Sequence, residues 1–466
     1  MSKNGYLVPR PRKGSMEIRF LGATRTVTGS KYLILTPSKE VLVDCGLFQG
    51  LKELRLRNWN PLPVAPGEID AVVLTHAHLD HSGYIPLLVR DGFRGQIHCT
   101  AATRELCGIL LPDSGYLQEE EAEYANRTGY SKHRPALPLY TMRDAQESLR
   151  YFSTTSFEHR LELGDGMSVA FLPAGHILGA AMASMQVGDR SILFSGDLGR
   201  PVDPLLPPPA PIRAADYLVI ESTYGDRRHE RVDPLDQLEA VIQRTSARGG
   251  AVLIPAFAVG RTQTLLYLLY RLQQEQRIPD LPIFVDSPMA ASAIDIFRRH
   301  PLEHQLAADE CEAVCSVARA TESVEESKEI DRMRYPRVII SASGMATGGR
   351  VLHHLKALSS DPRNTIVFVG HQAVGTRGAQ ILAGAKTIRI HGQQVAVHAD
   401  VESLDNLSAH ADYAEILDWL RNFEKPPRRT FITHGEPAAA EAMKLRIEDT
   451  FGWECAVPEY GETVRL

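Results

Sequence analysis

The sequence has 466 residues, of which 44% are hydrophobic and 23% are charged, and its formal net charge is -6. This length suits two or three globular domains, and the mildly acidic balance excludes a protein whose whole surface attracts nucleic acid. A polyanionic ligand would have to be held locally, by metal ions, helix N-termini or a few arginines.

Cysteine usage and hydropathy point to a reducing, aqueous compartment. The six cysteines are scattered, and the only close pair, Cys311 and Cys315, has a spacing that fits neither a zinc knuckle nor a CxxC redox motif. No run approaches the roughly 18 apolar residues of a membrane span. Residues 1–15 are basic but lack the apolar core of a secretory signal, so we expect a flexible leader. These features predict a cytoplasmic protein without membrane contact.

The first half of the chain reads as short β-strands that end in Gly, Asp or His. In chain order these predicted strands are MEIRFLG, KYLILTP, EVLVDCG, AVVLTHAH, MSVAFLPAGH and SILFSGD. Helical periodicity appears around Arg104 to Leu111 and Met142 to Phe152. The proline-rich residues 200–211 predict an extended connector, which is followed by another strand, YLVIEST.

From about Asp226 the pattern changes to apolar strands that alternate with helices. The strands are AVLIPAFAVGR, PIFVDSP, RVIISASG and NTIVFVG, and the clearest helix is TQTLLYLLYRLQQ. This alternation predicts βαβ units around a parallel sheet, with a ligand site at the carboxyl ends of its strands. After DNLSAHAD the chain returns to one helix, AEILDWLRNF, and one strand, RTFITHGE.

The segment THAHLDH places three histidines and an aspartate directly after an apolar strand. His76 and His78 are two residues apart and point the same way in extended chain, whereas Asp80 and His81 can face a second point nearby. This arrangement suits two metal ions that each need several nitrogen or oxygen ligands. The alternative is a polar loop that caps a strand, which would be the better explanation for a single histidine.

Four residues cannot fill two metal sites, so further ligands are expected at other strand ends. His176, Asp197 and His434 occupy such positions, although each by itself could be an ordinary polar residue at a turn. An aspartate is the usual bridge between two cations, which suits Asp197, and Asp44 is expected to orient a ligand from behind. Histidine and carboxylate ligands without thiolate favour two Zn²⁺ ions, with Mn²⁺ as the lesser alternative.

These motifs resemble those of the metallo-β-lactamase superfamily, and more narrowly of its β-CASP branch of nucleases, which includes ribonuclease J and the endonuclease of the cleavage and polyadenylation factor. The superfamily pattern is HxHxDH followed by His176 and Asp197. The branch pattern is VIESTYG with the acid Glu221, LSAHAD with His410, and THGE with His434. AFAVGR, DSPMA, SASGMATGGR and GHQAVGTRG follow the family's order for its inserted domain.

The resemblance implies a four-layer αββα metallo-β-lactamase domain with an inserted α/β β-CASP domain built on a mainly parallel sheet. We expect the first part of the lactamase domain at residues 16–225, the β-CASP domain at 226–400 and the return segment at 401–466. A histidine at the THGE motif resembles the RNA-directed members. The implied activity is a zinc-dependent ribonuclease that acts on single-stranded RNA as an endonuclease and, as an additional mode, as a 5′→3′ exonuclease.

The resemblance also divides the site residues by role. His76, His78 and His176 would hold one zinc, Asp80, His81 and His434 the other, and Asp197 would bridge them. Asp80 would also accept a hydrogen bond from the attacking hydroxide. His410 would be the general acid, oriented by Glu221, because a histidine titrates near neutrality and a nearby carboxylate favours its charged form. The alternative for SAHAD is a helix N-cap at Ser408, which is compatible with that role.

The inserted domain is expected to grip the substrate through loops that follow apolar strands. The expected contacts are the backbone N–H groups and hydroxyls of Ser343, Gly344, Thr347, Gly375 and Thr376, with a charge-assisted contact from Arg377. His371 departs from the family pattern, which more often has an aromatic residue there, and it receives no role. A homodimer is compatible with the family, but no motif in the sequence specifies one.

Three other functions fit parts of the pattern. A small-ester metallohydrolase would use the same lactamase scaffold, but the long second domain and the set of Glu221, His410 and His434 argue against it. A DNA-directed nuclease would use the same chemistry on another sugar. A non-catalytic RNA-binding scaffold would have lost ligands, whereas every expected ligand is present in this sequence.

Overall fold

The computed structural model describes residues 15–129, 131–230, 232–321, 323–370, 372 and 375–466. Residues 1–14 of the expected leader, and His371, lie outside the described residues. The chain divides into two compact units, of which the first comprises the residues up to Asp203, Pro207–Arg228 and His410–Leu466, and the second comprises Pro204–Leu206 and His229–Ala409. The domain boundaries expected from the sequence lie within ten residues of these divisions and stay predictions.

The strands of the described residues are short. In chain order they are β1 Glu17–Phe20, β2 Tyr32–Leu35, β3 Glu40–Val43, β4 Ala71–Val73, β5 Gln96–Cys99, β6 Phe152–Thr154, β7 Arg160–Gly164, β8 Met167–Pro173, β9 Ala181–Val187, β10 Arg190–Phe194, β11 Tyr217–Ile220, β12 Ala251–Pro255, β13 Ile283–Val285, β14 Arg319–Ala320, β15 Arg337–Ser341, β16 Thr365–Val369, β17 Thr387–Ile390, β18 Gln393–Ala396, β19 Asp400–Leu404, β20 Arg429–Ile432, β21 Cys455–Ala456 and β22 Thr463–Arg465.

The α-helices alternate with these strands. In chain order they are α1 Lys52–Arg57, α2 Leu79–Ser82, α3 Ile85–Arg90, α4 Ala101–Thr128, α5 Met142–Ser148, α6 Pro234–Ala247, α7 Arg261–Gln274, α8 Pro288–Arg299, α9 Ala308–Ser316, α10 Val324–Arg332, α11 Val351–Leu358, α12 Arg377–Leu382, α13 Tyr413–Leu420 and α14 Pro437–Phe451. None of the helices in the described residues combines the length and the apolar character that a membrane crossing requires.

The first unit contains two seven-stranded sheets that pack face to face. Their strand orders are β22-β1-β2-β3-β4-β5-β6 and β21-β20-β11-β10-β9-β8-β7. Alternate residues of each strand point into the shared core, as in the pairs Ile18/Phe20 of the first sheet and Ile192/Phe194 of the second. Helix α4 packs on β6, and α14 packs on β20 and β21, so helices cover the outer faces.

The second unit is built on one parallel sheet of six strands with the order β14-β13-β15-β12-β16-β19. Its central strands β12, β15 and β16 are buried along their whole length, because helices cover both faces of a parallel sheet. The hairpin β17–β18 forms a separate two-stranded sheet that adds Ile388, Ile390 and Val395 to this unit's core. The predicted fold class, two sheets with outer helices and an inserted parallel α/β unit, is confirmed.

Two local predictions differ from the structure. The sequence predicts a helix around Arg104 to Leu111, whereas α4 runs on through Pro112 to Thr128. The N-cap of α13 is Asp412 and not Ser408, since the Asp412 carboxylate accepts hydrogen bonds from the backbone N–H groups of Ala414 and Glu415.

A buried charged network in the second unit joins β13 to α10 and α11. His354 Nε2 lies 2.6 Å from Asp286 Oδ2, and His354 Nδ1 lies 2.7 Å from Asp331 Oδ1. Arg350 Nη1 donates to the other Asp286 oxygen at 2.6 Å. Burial lowers the pKa of His354, but its two carboxylate partners outweigh burial and raise that pKa to about 9. The imidazolium form therefore stabilises this unit.

We predict that this stabilisation is lost in alkaline solution. The folded-state pKa of His354 is raised above the ordinary value of 6.5, so its contribution is fully present below pH 6.5 and disappears as the pH rises through about 9. The difference in unfolding free energy between the wild type and His354→Gln should shrink by roughly 3 kcal/mol over that range in urea titrations. A difference that stays constant with pH would contradict the prediction.

Candidate active site

The polar side chains that the sequence predicts for the site meet where six strands of the first unit end. Asp44 and the THAHLDH segment follow the parallel strands β3 and β4 of one sheet. In the other sheet β8, β10, β11 and β20 run in the same direction, because β9 is antiparallel to both of its neighbours, β8 and β10, and the remaining pairs are parallel. The carboxyl ends of these strands therefore present their following loops at one edge of the unit.

The first group of candidate ligands comprises His76, His78, His176 and Asp197, whose ligand atoms all lie within 4.8 Å of one another. Nδ1 of His78 lies 3.2 Å from Nε2 of His76 and 3.2 Å from Nε2 of His176. Burial is the main cause that lowers the pKa of each of these three histidines, and it lowers that of His78 to about 3. They are thus neutral imidazoles, the form that binds a metal ion.

The second group comprises Asp80, His81 and His434, again with ligand atoms within 4.8 Å of one another. Nε2 of His434 lies 3.2 Å from Nε2 of His81 and 3.4 Å from Oδ2 of Asp80. Asp80 and His81 belong to the short helix α2, whereas His434 follows β20 with a positive φ of 48°. Chain segments more than 350 residues apart in sequence therefore build this group.

Asp197 lies between the two groups. Its Oδ2 is 3.3 Å from His76 Nε2 in the first group, and its Oδ1 is 3.2 Å from His81 Nε2 in the second. Within the described residues Oδ1 is buried and has no hydrogen-bond partner of proper geometry. A buried carboxylate oxygen without a donor, facing several imidazole nitrogens, fits a cation between them. The histidine nitrogens and the Asp197 carboxylate therefore have the chemistry and the spacing that a metal site requires.

Asp44 and Thr75 support the ligands from behind. Asp44 Oδ2 lies 2.7 Å from His81 Nδ1, and Asp44 Oδ1 accepts hydrogen bonds from the Thr75 backbone N–H at 2.8 Å and its hydroxyl at 2.9 Å. His81 can then carry its proton on Nδ1 and direct Nε2 at the second group. The Thr75 hydroxyl also lies 3.1 Å from His76 Nδ1, so one hydrogen-bonded unit orients a ligand of each group.

Glu221 and His410 form a pair beside the first group. Nδ1 of His410 lies 3.2 Å from both carboxylate oxygens of Glu221, which also accepts a 2.6 Å hydrogen bond from the backbone N–H of Leu198. The ring centroids of His410 and His176 are 4.5 Å apart. Burial lowers the pKa of His410, but the charge and hydrogen bond of Glu221 outweigh it and raise that pKa to about 9. Glu221 is fully buried, whereas one fifth of the His410 side chain is exposed.

The predicted substrate-binding residues lie in the second unit, in the loops after β15 and β16. Ser343 Oγ accepts a hydrogen bond from the Thr347 backbone N–H at 3.0 Å, and Gly344 packs against Phe257. Thr376 caps α12, and Gly375 before it has a positive φ of 87° with open space around it. These loops lie at the carboxyl edge of a parallel sheet, where such folds bind ligands.

Arg377 has a more structural setting than the sequence indicated. Its guanidinium donates to the backbone carbonyls of Ala346, Thr347 and Arg389, at 2.8 to 3.2 Å. These bonds use Nε and Nη1 and tie the Ser343 loop to the β17–β18 hairpin. Its assignment as a phosphate contact stays a prediction.

Three hydroxyl groups of the site were not singled out in the sequence. Thr75 bridges Asp44 and His76, Ser30 Oγ lies 3.3 Å from His81 Nε2, and Thr223 Oγ1 lies 3.1 Å from His434 Nδ1. Thr75 and Thr223 stand directly beside or within the motifs that were recognised. Ser30 lies in a loop that carries no such signal, so only the folded chain reveals it.

Family models cover most of the chain. The metallo-beta-lactamase superfamily matches residues 25–240, the Beta-Casp domain matches residues 262–381, and the Zn-dependent metallo-hydrolase RNA specificity domain matches residues 394–458.

Similar proteins come from bacteria and archaea. The chain is 38% identical to Ribonuclease TTHA0252 of Thermus thermophilus over 96% of this chain and all of that protein. It is 30% identical to transcription termination factor FttA of Methanosarcina mazei over 97% of this chain and 72% of that protein. A solved structure of a protein of unknown function from Enterococcus faecalis V583 shares the fold, with a TM-score of 0.57, 13% identity, and coverage of 97% of this chain and all of that one.

We predict that Asp44→Asn weakens metal binding while the protein stays folded. The amide cannot stabilise the His81 Nδ1–H as a carboxylate does, and loss of such a partner typically lowers metal affinity about 10–100-fold. Competition against a chromophoric zinc chelator measures the affinity. Asp70→Asn is the matched control, because Asp70 accepts hydrogen bonds from Lys39 and the Glu40 backbone, outside both candidate ligand groups. Equal affinities for the two variants would contradict the role of Asp44.

Proposed function

Because this chain belongs to the β-CASP branch of the metallo-β-lactamase superfamily, we propose that it is a zinc-dependent ribonuclease that hydrolyses phosphodiester bonds of single-stranded RNA with two metal ions. The observation that carries the proposal is the position of Asp197 between two groups of ligands, with the Glu221–His410 pair beside one of them. A site of this composition contains what phosphodiester hydrolysis requires, namely a place for metal ions and a separate acid.

In this proposal His76, His78 and His176 would hold one ion, Asp80, His81 and His434 would hold the other, and Asp197 would contribute to both. When bound, a pair of divalent ions supplies an activated water and neutralises charge on the scissile phosphate. Five imidazoles and two carboxylates without a thiolate favour Zn²⁺, with Mn²⁺ as the alternative. One fifth of the Asp80 side chain is exposed and its Oδ2 lies 3.4 Å from His434 Nε2, so its carboxylate would be placed to accept a hydrogen bond from the attacking hydroxide.

The proton for the departing oxygen comes from His410. Its Nδ1 faces Glu221, so its Nε2 is the nitrogen left to donate to the substrate. Glu221 holds the ring in one orientation and favours the imidazolium, while the backbone N–H of Leu198 fixes the carboxylate in turn. The exposed fifth of His410 gives the substrate access to an acid whose partner is fully buried.

RNA is the proposed substrate for two reasons. The relatives include a protein named as a ribonuclease and others named as transcription termination factors, and residues 394–458 match a model described as an RNA specificity domain. The Gly-, Ser- and Thr-containing loops after β15 and β16 supply backbone N–H groups of the kind that bind phosphates. We propose endonucleolytic cleavage, with a 5′→3′ exonucleolytic mode tested alongside it. The cytoplasmic location and the homodimer stay predictions.

Substitution of His410 and His434 should separate proton transfer from metal binding. We expect His410→Ala to abolish cleavage and retain about two metal ions per chain, because His410 lies outside the ligand groups. His434→Ala should lose or weaken one ion as well as activity. Metal analysis of protein purified without added metal, together with cleavage rates, measures both properties. If both variants keep the wild-type metal content and rate, the role assignment is wrong.

A panel of end-labelled substrates tests the activity itself. Single-stranded RNA and DNA of one sequence, each with a 5′-phosphate, 5′-triphosphate or 5′-hydroxyl, should be compared on sequencing gels. We expect cleavage of RNA at internal sites that requires metal, with shortening from the 5′ end where the exonucleolytic mode operates. Cleavage of DNA in preference to RNA would favour the DNA-directed alternative. Full activity in a metal-free preparation would exclude the mechanism.

A further inference from the structure

A segment just after strand β3 exposes large apolar side chains together with basic ones. We call residues 49–60 the rim segment; it contains helix α1, none of whose residues is buried. Leu51, Leu56 and Trp59 are each half exposed or more. Three large apolar side chains are therefore exposed within nine residues, on a segment that is also basic, and this combination suits a binding surface.

The rim segment is positively charged in a chain that is negative overall. Lys52, Arg55 and Arg57 stand against the single acid Glu53, whereas the whole chain has a net charge of -6. None of the three basic residues forms an ion pair with a carboxylate of the described residues. By contrast, Arg25 pairs with both Glu441 and Glu459. The positive charge of the rim segment is therefore available to an anion.

The rim segment is fixed to the rest of the first unit by a few contacts, although most of its side chains are exposed to solvent. Asn58 is its buried residue, and its side chain exchanges hydrogen bonds with the Phe48 backbone at 2.8 and 2.9 Å. The guanidinium of Arg57 lies 4.6 Å from the ring centroid of Tyr460 and 5.5 Å from that of Phe48. The buried Lys31 amine lies 4.6 Å from the centroid of the Phe48 ring as well. Trp59 and its neighbours are thus presented on a fixed base.

The rim segment is continuous with the metal site. Residues 45–47, which lead into it, run along α2, with hydrogen bonds from Cys45 N to His81 O at 2.7 Å and from Leu47 N to Leu79 O at 2.8 Å. A second connection runs through the loop of residues 23–28. Ala23 O accepts a hydrogen bond from His434 N at 2.7 Å, and Thr28 Oγ1 accepts one from Gln49 N at 3.3 Å.

We propose that the rim segment, together with Tyr460, is a binding surface for single-stranded RNA next to the active site. Lys52, Arg55 and Arg57 contact phosphates, and Trp59 provides a face on which a base stacks. Aromatic side chains interleaved with basic ones are the usual means of holding single-stranded nucleic acid without sequence preference. This inference rests on the proposed function and adds where the strand runs on the first unit.

A second copy of this chain is the other occupant that the apolar side chains would suit. The charges favour RNA, since two copies of a surface with three cations and one carboxylate would repel each other in a symmetric contact. The continuity with the metal site also favours RNA, because a strand that leaves the scissile phosphate on this side passes over the rim segment.

The experiment measures RNA binding separately from cleavage. Fluorescence anisotropy gives the Kd of a uridine-rich RNA of about 6 and of about 24 nucleotides, in a His410→Ala background that prevents turnover. Trp59→Ala should raise the Kd of the longer strand at least about fivefold, as loss of one stacked base does, and should affect the shorter strand less. Lys52→Gln with Arg55→Gln should make the slope of log Kd against log salt shallower by about 1.4, for two lost phosphate contacts.

Matched variants elsewhere on the first unit serve as controls. Tyr124→Ala removes an aromatic side chain of similar exposure, and Lys132→Gln with Arg143→Gln removes two exposed positive charges. We expect both controls to keep the wild-type Kd and salt slope. Rim variants that behave like these controls would overturn the proposal.

Two further outcomes distinguish failure of the binding surface from failure of the proposed function. If light scattering shows a dimer that Trp59→Ala dissociates while the Kd for RNA is unchanged, the surface binds a second copy and the proposal fails. If the wild-type chain binds RNA through the rim segment but leaves it uncleaved in metal-replete buffer, the proposed function fails while the binding surface stands.

Discussion

The carboxylate of Asp197 has to face imidazoles of two groups at once, and this requirement determines how the first unit is built. Its two oxygens point to different groups, each 3.2 to 3.5 Å from the histidine nitrogens around it. A loop at the meeting edge of the two sheets allows this, because each group combines residues that follow β4 of one sheet with residues that follow strands of the other sheet. The apolar core between the sheets therefore also sets the spacing of the site. Burial lowers the pKa of His76, His78 and His176 and so favours the neutral imidazoles that a metal ion binds.

Much of the site could be read from the sequence because its ligands follow apolar strands. A histidine or aspartate at the end of a strand has a fixed direction, and strands of one parallel set end at one edge. The sequence therefore predicts that His76, Asp197 and His434 lie close together, and they do so in the structure, whereas their roles stay proposals. The supporting hydroxyls were harder to find. Ser30 reaches His81 from a loop whose position depends on tertiary hydrogen bonds to Asp80 and Gly46, and local pattern carries no information about such contacts.

The fold was predictable in class and less so in detail. Runs such as AVLIP and RVIIS are apolar because both faces of a parallel sheet are covered, so the second unit's central strands were evident. Strands with mixed burial, such as β7 with alternate partly exposed residues, gave too weak a pattern to be recognised. Helix α4 passes through Pro112 because its packing outweighs one missing hydrogen bond, which local propensity does not anticipate. The N-cap of α13 is Asp412 instead of the predicted Ser408, because Asp412 and Glu415 form a reciprocal capping box.

A mildly acidic chain that binds a polyanion must concentrate its positive charge at a few places. The proposed site and the rim segment are two such places in this chain. At the metal centre the charge would come from bound ions held by histidine and aspartate side chains, so the protein needs few cations of its own there. Away from the ions, salt screens the attraction between a cationic side chain and a phosphate beyond about 8 Å at physiological ionic strength. Cationic side chains are then useful only where the strand passes, which in our proposal is the rim segment. In the same proposal, stacking on Trp59 would add affinity that salt does not screen, which suits a surface with only three basic residues.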